Sequence, residues 1–182
     1  MVCRYGQGVV RELFAQIAGT TVKGFSIWLP TMDGDTEESA RAGSTGFPDD
    51  LVQHVWDPRR SFGELFAKTL KLKGIAWDVY LLYKAGVTWD ADLPPEPTFW
   101  MHQLPVDAGA DGKSFLNPAR FSQEFLKLLG KGDGQLAWEL AFLLHLKGLN
   151  ALKNDKAQSS VEDVLGAVGC FIPQRSRQPK SM

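Results

Sequence analysis

Cysteine has the widest chemical range of any residue type in this chain, which contains two, Cys3 and Cys170. Cys3 precedes a stripe of apolar residues spaced three and four apart, which predicts an amphipathic helix over residues 4–18. Unpaired N–H groups at a helix start stabilise a thiolate, and the adjacent Arg4 adds positive charge. Both lower the pKa of a thiol and so favour a reactive Cys3. The alternative is a small apolar side chain without chemistry.

Cys170 lies far along the chain from Cys3, in the short apolar run GAVGCFI. It is either a distant partner for Cys3 or a half-buried side chain. Two cysteines do not make a disulfide framework, and the sequence therefore predicts a reducing, cytoplasmic compartment. The chain as given also shows no basic-then-apolar leader.

The histidines do not form a recognisable ligand set. His54 lies three residues before Asp57, a spacing at which a carboxylate can orient an imidazole, but no nucleophile motif accompanies the pair. His102 follows an aromatic run and is expected to cap an aromatic cluster, while His145 is expected in a core or interface. Without ligand spacing, we expect no metal and no other cofactor.

Asp78 is an acid inside the apolar run AWDVYLLY. Strand alternation places it on one face with Tyr80. A carboxylate in such a strand requires a partner or a raised pKa. We interpret it as an ion pair with Arg59, Arg60 or Lys84.

Composition excludes several functional classes. The chain has 182 residues, of which 44% are hydrophobic and 23% charged, with a net charge of −1. These values fit a globular chain of one domain, and they predict neither nucleic-acid binding nor a membrane span. Five of the six tryptophans fall between residues 28 and 100, with few basic residues among them, so we interpret them as packing residues rather than a base-stacking surface. The GQG triplet lacks the lysine of a phosphate loop.

Helical periodicity and strand alternation predict an α/β layer fold with a mixed sheet. Capping residues support three of the helices: Asp35 or Thr36, Ser61 with Glu64, and Asn117. The predicted segments are helix 4–18, strand 22–29, a short helix ending at 42, strand 51–56, helix 61–72, strand 75–83, strand 87–91, helix 118–130 and helix 136–152. Strands 75–83 and 87–91 are expected to form a hairpin.

Several motifs resemble a known family. CRYGQGVVRELFAQIAG, WLPTMDGD, HVWDPRR, AWDVYLLY and FWMHQL are similar to segments of a bacterial group of small thioredoxin-like proteins, over roughly residues 3–104. In thioredoxins a Cys-x-x-Cys motif ends a strand and opens a helix, and Cys3 matches its second cysteine. The resemblance implies a thioredoxin-like mixed sheet flanked by helices, with the first strand and first cysteine missing.

The chain departs from this family at the position before AWDVYLLY. Thioredoxins carry a cis-proline there, whereas this chain has Gly74 and Ile75. A cis bond before a residue other than proline costs about 3–4 kcal/mol, so we expect a trans bond at Ile75. With Trp77, these residues are expected to line a substrate groove.

The resemblance implies a thiol–disulfide oxidoreductase in full-length form and impaired in the chain as given. Cys3 would be the resolving thiol, tuned by Arg4, and the partners would be a protein disulfide or a small thiol. The alternative is a non-catalytic thioredoxin-like binding or scaffold protein. We expect a thioredoxin-like domain over 1–106, a helical extension over 107–152 and a poorly ordered tail over 153–182. The sequence leaves the oligomeric state open.

Overall fold

The computed structural model describes residues 2–16, 22–45, 47, 51–130 and 166–173. Their helices and strands alternate along the chain, which confirms the predicted mixed α/β character. The elements are α1 (Val2–Gln16), β1 (Val22–Leu29), α2 (Glu37–Ser44), β2 (Val52–Trp56), α3 (Ser61–Leu70), β3 (Val79–Leu82), β4 (Phe99–His102), α4 (Pro118–Leu128) and β5 (Gly166–Pro173), with short 3-10 turns at Val106–Ala108 and Gly112–Ser114. The predicted helix 136–152 lies outside the described residues.

The five strands form one mixed sheet in the order β2-β1-β5-β3-β4. β1 is parallel to β2, and β3 is antiparallel to β4. The central strand, β5, is antiparallel to β1 and parallel to β3. β1 and β3 therefore run in opposite directions, and β5 joins them.

Residues 166–173, which lie within the segment 153–182, form the central strand β5. Residues 166–173 of that segment pair with β1 over the whole of Val22–Leu29. An apolar run without alternation is typical of a central strand covered on both faces, but it does not reveal distant pairing partners. Phe121 and Phe125 of α4 pack in one cluster with Leu13 of α1, and the division at residue 106 stays a prediction.

Side-chain alternation divides the core between the two faces of the sheet. Tyr80 and Leu82 face α1 and α4, a side we call the α1 face. Val79 and Leu81 face α3, and we call this side the α3 face. The alternation predicted for AWDVYLLY is confirmed, although the strand begins at Val79 rather than at residue 75.

α1 forms because its apolar residues make one continuous stripe. Val9, Val10, Leu13 and Phe14 are all buried. Fully burying such a side chain contributes about 1.5–3 kcal/mol, so this stripe fixes the helix against the sheet.

The partner of β3 differs from the predicted hairpin arm at 87–91. β4 pairs with β3 instead, and 87–98 forms a loop. The Tyr83 hydroxyl donates to the Pro95 carbonyl (2.9 Å), and the Thr69 hydroxyl donates to the Pro94 carbonyl (3.0 Å), which fixes the loop beside α3. The prediction was wrong because strand propensity does not identify the pairing partner.

Local capping rules hold for two helices. The hydroxyl of Thr36 accepts from the Ser39 N–H (3.2 Å), and the Ser39 hydroxyl accepts from the Thr36 N–H (3.0 Å), which completes a capping box for α2. Asn117 Oδ1 accepts from the Arg120 N–H (2.9 Å) at the start of α4. Both helix starts confirm the sequence prediction.

The start of α3 differs from the predicted Ser61 cap. Ser61 is already helical, and Arg60 precedes it in the left-handed region with a φ of 60°. The buried carboxylate of Asp57 accepts from the Phe62 N–H (2.8 Å) instead. The tight turn between β2 and α3 brings Asp57 to the end of the helix, a contact that the capping-box spacing does not anticipate.

We expect Asp57→Ala to lower the free energy of unfolding by about 1–2 kcal/mol, because an N–H at the start of α3 loses its acceptor. Asp57→Asn keeps an acceptor oxygen and should recover most of this loss. Ser61→Ala should change stability by less than about 0.5 kcal/mol. Urea denaturation of the three variants checks the assignment, and a loss in Ser61→Ala equal to that in Asp57→Ala would contradict it.

Candidate functional site

At one edge of the sheet, strands from both sides of β5 end or begin. β1, β2 and β4 end there, whereas β3 and β5 begin there, as the pairs Trp28–Trp56, Leu29–Gly166 and Val79–His102 show. α1 brings its first turns to this edge on the α1 face, through the contact described next.

Gly6 of α1 lies directly against a buried pair of polar side chains. A Cβ atom at this position would overlap the Tyr80 hydroxyl and lie 2.5 Å from Gln103 Oε1. The Tyr80 hydroxyl donates to Gln103 Oε1 (3.0 Å), and the Gln103 N–H donates to the Asp78 carbonyl (2.9 Å). We call Asp78, Tyr80 and Gln103 the edge cluster. The missing side chain of Gly6 is what allows α1 to approach this cluster so closely.

Asp78 is the titratable carboxylate of the edge cluster. It is 1% exposed and holds a φ of 50° immediately before β3. Arg59, Arg60 and Lys84, its expected ion-pair partners, are exposed at the surface. The ion pair itself stays a prediction.

Cys3 is the second residue of α1, so the helix start expected at this cysteine is confirmed. Arg4 follows it in the same turn. Cys3 precedes Gly6 by three positions, which places the two on one face of the helix with a rise of about 4.5 Å between them. The first turn of α1, with its unpaired N–H groups, therefore lies at the sheet edge beside the edge cluster.

Tyr5 is the aromatic residue of this same turn. It is partly buried and packs against the core cluster of the α1 face. Burial raises the pKa of the Tyr5 hydroxyl above its ordinary value of 10.0, because ionisation would place a charge in a poorly solvated position.

The two cysteines lie in different elements. Cys170 in β5 is paired with Phe25 and Leu81. Cys3 lies in the first turn of α1, and Cys170 lies in the central strand. The distant pairing of the two cysteines stays a prediction.

The residues of the expected groove lie on the α3 side of the same edge. Gly74 is exposed with a φ of 101°, and Ile75 and Trp77 are partly buried. The Ala76 N–H donates to the Gly63 carbonyl (2.9 Å), which fixes this segment to α3. No described residue follows a cis peptide bond, so the trans expectation for Ile75 is confirmed. The groove segment and α1 thus flank the edge from opposite faces.

His54 and Asp57 have separate hydrogen-bond partners. His54 Nδ1 accepts from the Trp28 indole N–H (3.1 Å), and Phe47 packs edge-on against the imidazole. Asp57 caps α3, as described above. The structure therefore assigns each residue a structural role of its own.

His102 confirms the expected aromatic environment. The imidazole is buried, with ring centroids of Trp100 and Phe115 at 5.6 and 5.7 Å. Its Nδ1 accepts from the Leu104 N–H (3.1 Å), so Nε2 carries the proton that it donates to the Asp111 carbonyl (3.0 Å). His145 lies outside the described residues.

Sequence reasoning missed Gly6 and Gln103 as parts of this edge. The available signal was a glycine within a helical pattern, where alanine is more favourable by about 1 kcal/mol. Such a glycine indicates a close approach of another group. No sequence pattern near Gly6 identifies that group as the Tyr80–Gln103 pair.

We expect Gly6→Ala to lower the free energy of unfolding by about 1–3 kcal/mol, because the new methyl group displaces the Tyr80 hydroxyl or the helix itself. Gly8 provides the matched control, since a Cβ there meets nothing within 4 Å. Gly8→Ala should raise stability by about 0.5–1 kcal/mol. Chemical denaturation measures both variants, and equal gains from the two substitutions would refute the close contact.

The raised pKa of Tyr5 predicts a stability that falls in alkali. The unfolded chain releases the phenol proton near pH 10.0, whereas the folded chain retains it to higher pH. Above pH 10 the folded state therefore binds more protons, and the free energy of unfolding decreases with pH. Tyr5→Phe should flatten this decrease between about pH 9.5 and 11. Identical slopes for parent and variant would count against the burial of this hydroxyl.

The described residues contain no group of three or more histidine, cysteine or acidic side chains arranged to hold a metal ion. No helix within the described ranges combines the length and hydropathy of a transmembrane span. Comparison with known proteins gave no match to a family model, a curated protein or a solved structure.

Proposed function

We propose that this is a thioredoxin-like protein whose Cys3 performs thiol–disulfide exchange. One observation carries the proposal: α1 begins at Val2, so Cys3 lies in the first turn of a 15-residue helix at the edge where β1, β2 and β4 end. Helix N–H groups and the macrodipole stabilise a thiolate at such a position, and Arg4 adds a positive charge.

The exchange proceeds in two balanced displacements. The resemblance implies that Cys3 is the resolving thiol of the full-length form, but in the chain as given Cys3 would be the attacking thiol. Its thiolate attacks one sulfur of a substrate disulfide, forms a mixed disulfide and releases the other sulfur as a thiolate. A second thiol, from a protein or a small molecule, then attacks the substrate sulfur of the mixed disulfide. The product is a new disulfide, and the Cys3 thiolate is regenerated.

The chain as given has one other cysteine, Cys170, which is distant in the sequence, so we take the second thiol from another molecule. Resolution by an external thiol depends on its concentration, whereas an adjacent cysteine acts at a high effective concentration. We therefore expect slower turnover than that of a protein with two neighbouring cysteines.

The edge cluster supports the proposal by holding the first turns of α1 at the sheet edge. Gly6 lets the helix rest on the Tyr80–Gln103 pair, and the hydrogen bond between these side chains fixes the surface on which the helix rests.

The second candidate is a non-catalytic binding or scaffold protein. The groove segment favours it, because no proline precedes β3 at Gly74–Ile75 and the segment is fastened to α3 through the Gly63 carbonyl. Trp89 also remains 40% exposed while packing edge-on against Phe62 and Phe66 of α3. An exposed aromatic residue on a fixed support is a suitable contact for a partner protein.

The two candidates differ in the reaction of the full chain with a chromogenic aryl disulfide. For the redox function we expect release of the aryl thiolate with a pH midpoint below about 8.5, the value of an unperturbed thiol. Cys3→Ser should abolish this phase, whereas Cys170→Ser should leave its rate unchanged. Arg4→Gln should move the midpoint upward.

The same variants distinguish the redox function from the scaffold function. A rate in Cys3→Ser equal to that of the parent, or a Cys3 midpoint at or above about 8.5, would contradict the redox function and favour the scaffold. Reduction of insulin with dithiothreitol as the external thiol then tests turnover, and catalysis there must also be lost in Cys3→Ser.

A further inference from the structure

The loop between β3 and β4, residues 87–98, presents an aromatic side chain to solvent on a rigid support. Trp89 is 40% exposed, although its ring packs edge-on against Phe62 and Phe66 of α3, with ring centroids 6.0 Å apart in both pairs. The Trp89 indole N–H donates to the Ala91 carbonyl (2.8 Å), which fixes the orientation of the ring. The exposed part of the indole is therefore held in place for contact with another molecule.

Hydrogen bonds fasten this loop to its surroundings. The Thr98 N–H donates to the Leu82 carbonyl (2.8 Å), and the Thr98 hydroxyl accepts from the Lys84 N–H (3.1 Å). The carbonyls of Pro94 and Pro95 accept from side-chain hydroxyls, as described above. Proline also has a fixed φ, so a partner that binds here has little backbone to order, and the entropic cost of association is small.

The charged residues of the loop are all acidic. Residues 87–98 include Asp90, Asp92 and Glu96 and no basic residue, and all three acidic residues are exposed. None of the three carboxylates forms an ion pair with another described residue. Asp90 accepts a hydrogen bond from the Thr88 hydroxyl, which leaves its charge uncompensated. The negative charge of the loop is therefore available to a partner.

An exposed indole in the same loop as three carboxylates favours a cationic partner. The carboxylates attract positive charge, and the face of an indole attracts it through the ring quadrupole. Arginine suits both, because its planar guanidinium stacks on aromatic rings and pairs with carboxylates, and lysine supplies the charge on an apolar stem. An acidic partner would be repelled, and an uncharged one would gain nothing from the carboxylates.

We propose that the loop 87–98 binds a basic segment of a partner protein, in which Trp89 contacts an arginine or lysine side chain and Asp90 and Asp92 attract its basic neighbours. The inference rests on the second candidate function, a binding or scaffold protein, and specifies the chemistry of its partner. It is independent of Cys3, because the loop packs on α3 whereas α1 packs on the other face of the sheet.

Binding of a short peptide of alternating arginine and glycine to the full chain tests the proposal. A peptide of glutamate and glycine is the acidic probe, and one of leucine and serine is the uncharged probe. Fluorescence anisotropy of the labelled peptides measures affinity, and the NMR signal of the Trp89 indole N–H, assigned through Trp89→Phe, reports contact at the loop. We expect the arginine peptide alone to bind and to shift this signal, with an affinity that falls as ionic strength rises above about 0.15 M.

Substitutions in the loop separate the contributions of charge and of the aromatic ring. Asp90→Asn with Asp92→Asn should weaken binding of the arginine peptide about threefold or more. Trp89→Ala should weaken it about two- to fivefold. Glu37→Gln with Glu38→Gln is the matched control, since it changes the net charge equally on α2, which packs against β2 at the other side of the sheet. This control should bind the peptide as the parent does.

Three results would overturn the proposal. The first is binding of the uncharged or acidic peptide as tight as that of the arginine peptide, which would leave the binding function but exclude a basic partner. The second is an equal loss of affinity in the loop and α2 double variants, because net charge alone would then explain binding. The third is no binding of any peptide to a parent chain whose circular dichroism shows a folded protein. Circular dichroism also identifies a folding defect in Trp89→Ala, and the exposed aspartates then provide the test by themselves.

Discussion

The hydrogen bonds that β5 makes to β1 on one side and to β3 on the other are the constraint on which the described structure depends. Each half of the sheet has two strands, and an isolated two-stranded sheet is marginally stable in water. The core of the α1 face draws residues from both halves, among them Val22 and Tyr80. That core therefore requires the central strand.

The same constraint relates the fold to the proposed chemistry. α1 precedes β1 in the sequence, but Gly6 in its first turns lies against Tyr80 of β3 and against Gln103, which follows β4. The start of α1 is therefore positioned by the half of the sheet that contains β3 and β4, and not by β1, the next strand in the sequence. The position of Cys3 relative to the strand ends follows from β5, Gly6 and the Tyr80–Gln103 hydrogen bond acting together.

Sequence patterns identified the elements whose signals are local. The apolar stripe of α1, the buried run of β1 and the Asn117–Pro118 start of α4 depend on neighbours within a turn or a strand. The central position of β5, the choice of 99–102 over 87–91 as partner of β3, and the Asp57 cap depend on contacts that spacing alone does not encode. At the site, the sequence indicated Cys3 at a helix start, whereas the apposition of Gly6 with the Tyr80–Gln103 pair required the fold.

The left-handed backbone conformation at Asp78 limits which residue types can occupy this position, immediately before β3. A φ of 50° is tolerated by aspartate, asparagine and glycine and strongly disfavoured for β-branched or bulky residues. Related chains should therefore exchange the acid for asparagine or glycine at this point while keeping the same turn. A homologue that lacks the carboxylate at this position can therefore still have the same fold. A valine or isoleucine there would instead indicate a different backbone conformation before β3.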